Sequence, residues 1–128
     1  MNTQKILVVE DSEPLRQILA EKLRLENFDV LEAGGGEEGI KIAEERKPDI
    51  IITDIVMFPV DGLEMAKRIR EFGAWGKEVK IIALTNQNSS EEEKRLETLN
   101  LTAYLVKADT GLDEVVELIK DIFKKKKS

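Results

Sequence analysis

The stretch Ile50-Ile51-Ile52-Thr53-Asp54 sets three consecutive isoleucines before a hydroxyl and a carboxylate. Apolar residues at consecutive positions suit a strand buried on both faces, as in a parallel sheet flanked by helices. The arrangement recurs three times. Ile6-Leu7-Val8-Val9 leads into Glu10 and Asp11, Ile81-Ile82-Ala83-Leu84 into Thr85, and Tyr104-Leu105-Val106 into Lys107. As parallel strands, the four runs gather Asp11, Asp54, Thr85 and Lys107 at one edge of one sheet. Two carboxylates, a hydroxyl and an ammonium in one crevice suit a divalent cation and a phosphoryl group.

Amphipathic segments separate these runs, so the pattern is that of repeated βα units. Ser12 is a good N-cap and Pro14 fits a first helical turn, so a helix opens there with Leu15, Ile18, Leu19 and Leu23 as its apolar stripe. Asn27 is its natural stop, because asparagine tolerates the left-handed conformation that ends many helices. A short strand, Phe28 to Leu31, follows. Gly34-Gly35-Gly36 reads as a flexible turn before a helix over about 37–46, with Ile40 and Ala43 facing inward. It lacks the Lys-Ser/Thr of a phosphate cradle. Pro48 ends that helix, and Asp61-Gly62 opens a third one carrying Leu63, Ala66 and Ile69. Residues 73–76 read as a connection to the fourth strand. A fourth helix is expected from about Ser89, with Glu91, Glu92 and Glu93 in its first turn, where the helix dipole favours anions. Its apolar stripe is thin, chiefly Leu96 and Leu99. The last helix begins after Gly111, with Leu112, Val115, Val116, Ile119, Ile122 and Phe123 at helical spacing. Lys124 to Lys127 complement the negative end of its dipole. The expectation is one α/β domain over 1–128: a (βα)5 doubly wound, parallel five-stranded sheet of flavodoxin-like order 2-1-3-4-5.

Composition narrows the chemistry. The 128 residues contain no cysteine and no histidine, which removes zinc sites, disulfides, thiolate nucleophiles and histidine acid–base catalysis. Any metal is therefore a hard cation on oxygen ligands, Mg²⁺ or possible Mn²⁺. The net charge of −6 argues against direct nucleic-acid binding. No run approaches the roughly 20 apolar residues of a membrane span. The first five residues lead straight into a strand without a signal peptide, so a cytoplasmic location is expected.

Glu10, Asp11 and Asp54 form an acidic cluster balanced only by Lys107, and three adjacent carboxylates repel unless a cation sits among them. Asp54 at the end of the central strand is then a candidate nucleophile toward phosphorus. Lys107 and the metal would neutralise the phosphoryl oxygens, and the Thr85 hydroxyl would hydrogen-bond one of them.

From about Lys5 to Phe123 the chain resembles a response-regulator receiver domain of two-component signalling. Glu10-Asp11 matches the family's acidic pair, Asp54 within Ile52-Thr53-Asp54-Ile55-Val56-Met57 its phosphoacceptor, Thr85 its switch hydroxyl and Lys107 its essential lysine. The resemblance implies that Asp11 and Asp54 bind Mg²⁺ directly, Glu10 through water and Val56 through its backbone carbonyl. It also implies that Thr85, Asn86 and Lys107 surround the phosphoryl group, and that Tyr104 is an aromatic switch turning inward with Thr85. The implied partners are a histidine kinase or histidine phosphotransfer protein and a downstream protein in trans. A homodimer through the face of fourth helix, fifth strand and fifth helix is the other implied output.

Three positions depart from the family pattern. Phe58 follows Met57 where proline is usual, and proline appears one residue later as Pro59. The ring either covers local apolar surface or contacts a partner. Ala108 replaces the proline whose bond to the lysine is usually cis. A cis bond without proline costs about 3–4 kcal/mol, so a trans bond and a re-routed loop are expected. Asn86 stands where alanine or glycine is usual and narrows access to the site. The expected role is a signalling switch rather than an enzyme, assisting its own phosphorylation and dephosphorylation. The alternative is a phosphorylation-independent (pseudo-receiver) interaction module. A phosphatase using an aspartyl phosphate would need a second Asp where Val56 stands, and an acidic crevice disfavours a flavin phosphate.

Overall fold

Ile6, Val8, Ile50, Ile52 and Ile82 enter one core while Leu7, Val9, Ile51 and Ile81 enter another. Side chains alternate across a strand, so these consecutive apolar residues fill both faces of one sheet. Each fully buried isoleucine contributes about 2 kcal/mol.

The computed structural model describes residues 4–85, 94, 97–107 and 110–127. Its elements are β1 (Lys5–Val9), α1 (Glu13–Leu25), β2 (Asp29–Ala33), α2 (Gly36–Arg46), β3 (Ile50–Asp54), α3 (Gly62–Arg70), α4 (Gly73–Glu78), β4 (Lys80–Thr85), β5 (Ala103–Val106) and α5 (Leu112–Lys127). The strands pair in parallel in the order β2-β1-β3-β4-β5, as the sequence predicts. Leu19 and Leu23 of α1 and Val115, Val116 and Ile119 of α5 close one face; Ala43 of α2 and Met65 and Ile69 of α3 close the other. Most of the expected fourth helix lies outside the described residues, although Lys94, Glu97 and Thr98 are helical.

Several local expectations change. Leu15 and Ile18, expected inside, are 52% and 51% exposed; α1 buries Leu19, Ala20 and Leu23 instead. Its apolar stripe is wider than the surface the sheet offers. Ser12 occupies the N-cap position of α1 without a side-chain capping bond, and Asn27 does take a left-handed φ of 72°. The second strand runs from Asp29 to Ala33, two residues beyond its expected end. Residues 73–76 belong to helix α4 rather than to a loop, with Gly76 packed so closely that an added Cβ would lie 2.1 Å from the Ile69 carbonyl oxygen. Gly34 and Gly35 form a bend, as a turn requires, whereas Gly36 is closely packed. Gly36 is the first residue of α2, and a Cβ there would lie 2.4 Å from the Val60 carbonyl oxygen.

The end of α3 is tied down by Arg70. Its guanidinium donates to the carbonyls of Leu99 (2.9 Å), Gly76 (2.8 Å), Val79 (2.6 Å) and Asn100 (3.0 Å). Burial pulls its pKa below the usual arginine value, and the four carbonyl dipoles replace the lost hydration. Arg70 therefore anchors the chain where it turns into β5, on the far side of the sheet from the acidic edge.

Candidate phosphoryl and metal site

Parallel pairing brings the four strand ends into line. Val9 sits beside Thr53, Asp54 beside Leu84 and Thr85 beside Val106, so Glu10, Asp54, Thr85 and Lys107 converge at the carboxyl edge. Glu10, Asp54 and Thr85 are buried, whereas Asp11 is exposed. Val56 is 53% exposed just beyond β3. Tyr104 is half-buried and packs against the small cluster of Ile55, Leu63 and Ala83. Asn86 and Ala108 lie outside the described residues, and with them the Lys107–Ala108 bond.

Lys107 bridges two carboxylates. Its Nζ donates to Glu10 Oε1 at 2.9 Å and lies 3.1 Å from Asp54 Oδ2. Desolvation alone would lower its pKa, but the hydrogen bonds and charges of Glu10 and Asp54 outweigh it and hold the ammonium above its usual value. The carboxylates are also fixed by the backbone. Asp54 Oδ1 accepts the Ile55 N–H at 2.8 Å, and Glu10 Oε2 accepts the Ser12 N–H at 3.2 Å. The Thr53 hydroxyl donates to the Asp54 carbonyl at 2.8 Å. Asp61 caps α3 by accepting the Glu64 N–H at 2.7 Å.

Glu10, Asp11 and Asp54 each offer a carboxylate oxygen, and these oxygens lie within 4.8 Å of one another. An all-oxygen donor set suits Mg²⁺ or Mn²⁺, so the residues fit the cation expected from the sequence. Asp11 stands beside the Glu10 carboxylate. Its hydrogen bond with Glu10, then partial burial, then repulsion by the Glu10 charge raise its carboxyl pKa above 3.8. A raised carboxyl pKa means the folded chain holds that proton more tightly than the unfolded chain. Metal-free stability therefore falls as pH rises from 3.8 through the folded pKa. Asp11→Asn is expected to melt higher than the parent above that window and to converge with it below. With Mg²⁺ present the order reverses at neutral pH, because only the parent gains from the cation. Thermal melts over pH with EDTA or Mg²⁺ check both signs.

An apolar groove of about 240 Å³ adjoins Glu10, Asp54 and Lys107 and is walled by Leu15, Ile18 and Leu112. Phe58 is 84% exposed, so its ring does not cover local apolar surface. The Phe58–Pro59 peptide is cis.

The model of the response regulator receiver domain family matches residues 6–120. The transcriptional regulatory protein PdtaR of Mycobacterium tuberculosis is 35% identical over 105 residues, covering 81% of this chain and 49% of that protein. The autoinducer sensor kinase/phosphatase CqsS of Vibrio cholerae is 32% identical over 104 residues, covering 81% of this chain and 15% of that protein. Among solved structures, the Vibrio cholerae chemotaxis protein CheY4 superposes with a TM-score of 0.86 at 27% identity, covering 94% of this chain and 98% of that one. The chain spans half or less of the length of such curated relatives.

Proposed function

The chain belongs to the response-regulator receiver family, and from that premise we propose that it is a Mg²⁺-dependent phosphoacceptor switch with Asp54 as the acceptor. The observation that carries this reading is the Lys107 ammonium bridging the buried carboxylates of Glu10 and Asp54 beside Asp11.

An Asp54 carboxylate oxygen forms a new O–P bond as the donor's P–N bond breaks and a histidine imidazole leaves. A cation bound by Glu10, Asp11, Asp54 and the Val56 carbonyl would offset charge on the carboxylates and phosphoryl oxygens. Lys107 turns from Glu10 and Asp54 toward a phosphoryl oxygen, and the Thr85 hydroxyl donates to another. Movement of Thr85 frees space beside β5 into which Tyr104 turns, carrying the signal to β5, α5 and the helical residues Lys94, Glu97 and Thr98. That face would meet a downstream protein or a second copy of the chain. The groove beside Leu15 and Ile18 and the exposed Phe58 provide apolar contacts for a histidine kinase or phosphotransfer protein at the mouth of the site.

Incubation with acetyl phosphate and Mg²⁺ is expected to add one phosphoryl group by intact mass. The adduct should be absent with EDTA and removed by hydroxylamine as an acyl phosphate. No adduct, with no Mg²⁺-dependent spectral change on adding beryllofluoride, would sink the proposal in favour of a phosphorylation-independent interaction module.

A further inference from the structure

Behind the acidic pair lies a chain of ionic contacts that meets the cation site only at the backbone carbonyl of Glu10. Arg16, on the second turn of α1, donates from Nη1 to the backbone carbonyl of Glu10 at 2.9 Å, while its Nε lies 3.4 Å from Glu32 Oε1 on β2. Glu32 is held from its other oxygen by Arg24 at 3.0 Å, and Arg24 also donates to the Val30 carbonyl at 3.1 Å. The Glu10 N–H is bound to the Ala33 carbonyl at 3.1 Å. Glu10 is therefore gripped at both backbone groups, by β2 on one side and by Arg16 on the other. The Arg16 side chain is only 18% exposed, which is low for an arginine on the outward side of a surface helix.

Resting on the reading of Glu10, Asp11 and Asp54 as a cation site, we propose that Arg16 is a positioning residue for it: by fixing the Glu10 carbonyl to α1 and β2, it holds the Glu10 and Asp11 carboxylates in the geometry that binds the cation. The planar fork of arginine suits this task, because it reaches the carbonyl and the Glu32 carboxylate at once. Glu32 has a second effect. By pairing with the guanidinium, it keeps that charge from turning toward Glu10 and Asp11 and competing with the cation. Outer partners that orient metal ligands typically change metal affinity by about 10–100-fold when removed.

Simple electrostatics predicts the opposite sign, and this makes the test sharp. Deleting a cation near three carboxylates should tighten metal binding, whereas loss of a positioning contact should weaken it. Mn²⁺ affinity is to be read from the free-ion signal in electron paramagnetic resonance, with Mg²⁺ by competition, for wild type, Arg16→Met and Arg16→Lys. Circular dichroism checks that each variant is folded. Arg16→Met is expected to bind about 10-fold more weakly. Arg16→Lys, which keeps the charge but not the fork, should fall between the two. It also retains the aliphatic stem, so it remains a usable test if Arg16→Met fails to fold. Variants binding as tightly as wild type, or more tightly, would overturn the role of Arg16 while leaving the cation site standing. A wild type that binds neither ion would overturn the site and Arg16's role together.

Discussion

Asp54→Asn is expected to abolish phosphorylation by acetyl phosphate altogether, with the variant remaining folded. Asp54 is buried, accepts the Ile55 N–H through Oδ1 at 2.8 Å and presents Oδ2 to Lys107 at 3.1 Å. An asparagine oxygen can keep the Ile55 bond. Its amide nitrogen, however, is a donor facing an ammonium and has no lone pair to attack phosphorus. Lys107 should then turn wholly to Glu10, already 2.9 Å away, so the pocket keeps one ion pair and the loss reads as chemistry rather than unfolding. Intact mass before and after donor treatment checks the first part, and a thermal melt the second. A phosphoryl group that persists in Asp54→Asn would reassign the acceptor to Glu10 or Asp11, and peptide mapping would say which.

Much of this arrangement was legible in the residues, and for identifiable reasons. Both faces of the sheet are buried, so the strands carry consecutive apolar residues, Ile50 to Ile52 in β3, and stand out against the amphipathic helices. Parallel strands send their ends to the same edge, so the polar residue after each run belongs to one site. The bridging role of Lys107 was only half legible. Its aim toward Asp54 was expected, whereas the shorter contact to Glu10 joins residues 97 positions apart.

What escaped the sequence shares a different cause: it depends on neighbours remote in the chain. Leu15 and Ile18 fit the helical period as well as Leu19 and Leu23 do, but the sheet covers only part of that stripe. Helix α4 has six residues, too few for a period to declare itself. Arg16 reads as one more surface cation until the Glu10 carbonyl and Glu32 are seen beside it. Glycines are hardest. Gly36 and Gly62 look like loop residues in sequence, and only the backbone packed against each shows that a methyl group has no place there.

Gly62 is where that packing meets the site, and Gly62→Ala is expected to produce a large loss of stability. A Cβ at Gly62 would lie 2.1 Å from the Asp54 carbonyl oxygen and 3.1 Å from Ile55 Cα, both backbone atoms unable to swing aside. The Gly62 N–H also donates to the Ile55 carbonyl at 2.8 Å, so the start of α3 cannot retreat without breaking that bond. Overpacking against rigid backbone costs roughly 3 kcal/mol, a fall of about 10 °C in melting temperature for a chain of this size. Gly35→Ser is the matched control. A Cβ there meets nothing within 4 Å, φ is an ordinary extended −174°, and serine can cap α2, so its melting temperature should equal or exceed the parent's. The strain in Gly62→Ala falls on Asp54, the proposed acceptor. Below its melting temperature the variant should therefore still take up a phosphoryl group, but more slowly than wild type at saturating Mg²⁺. A variant that melts within 2–3 °C of the parent, a shift of under about 1 kcal/mol, would show that α3 does not press on Asp54 as closely as these distances require.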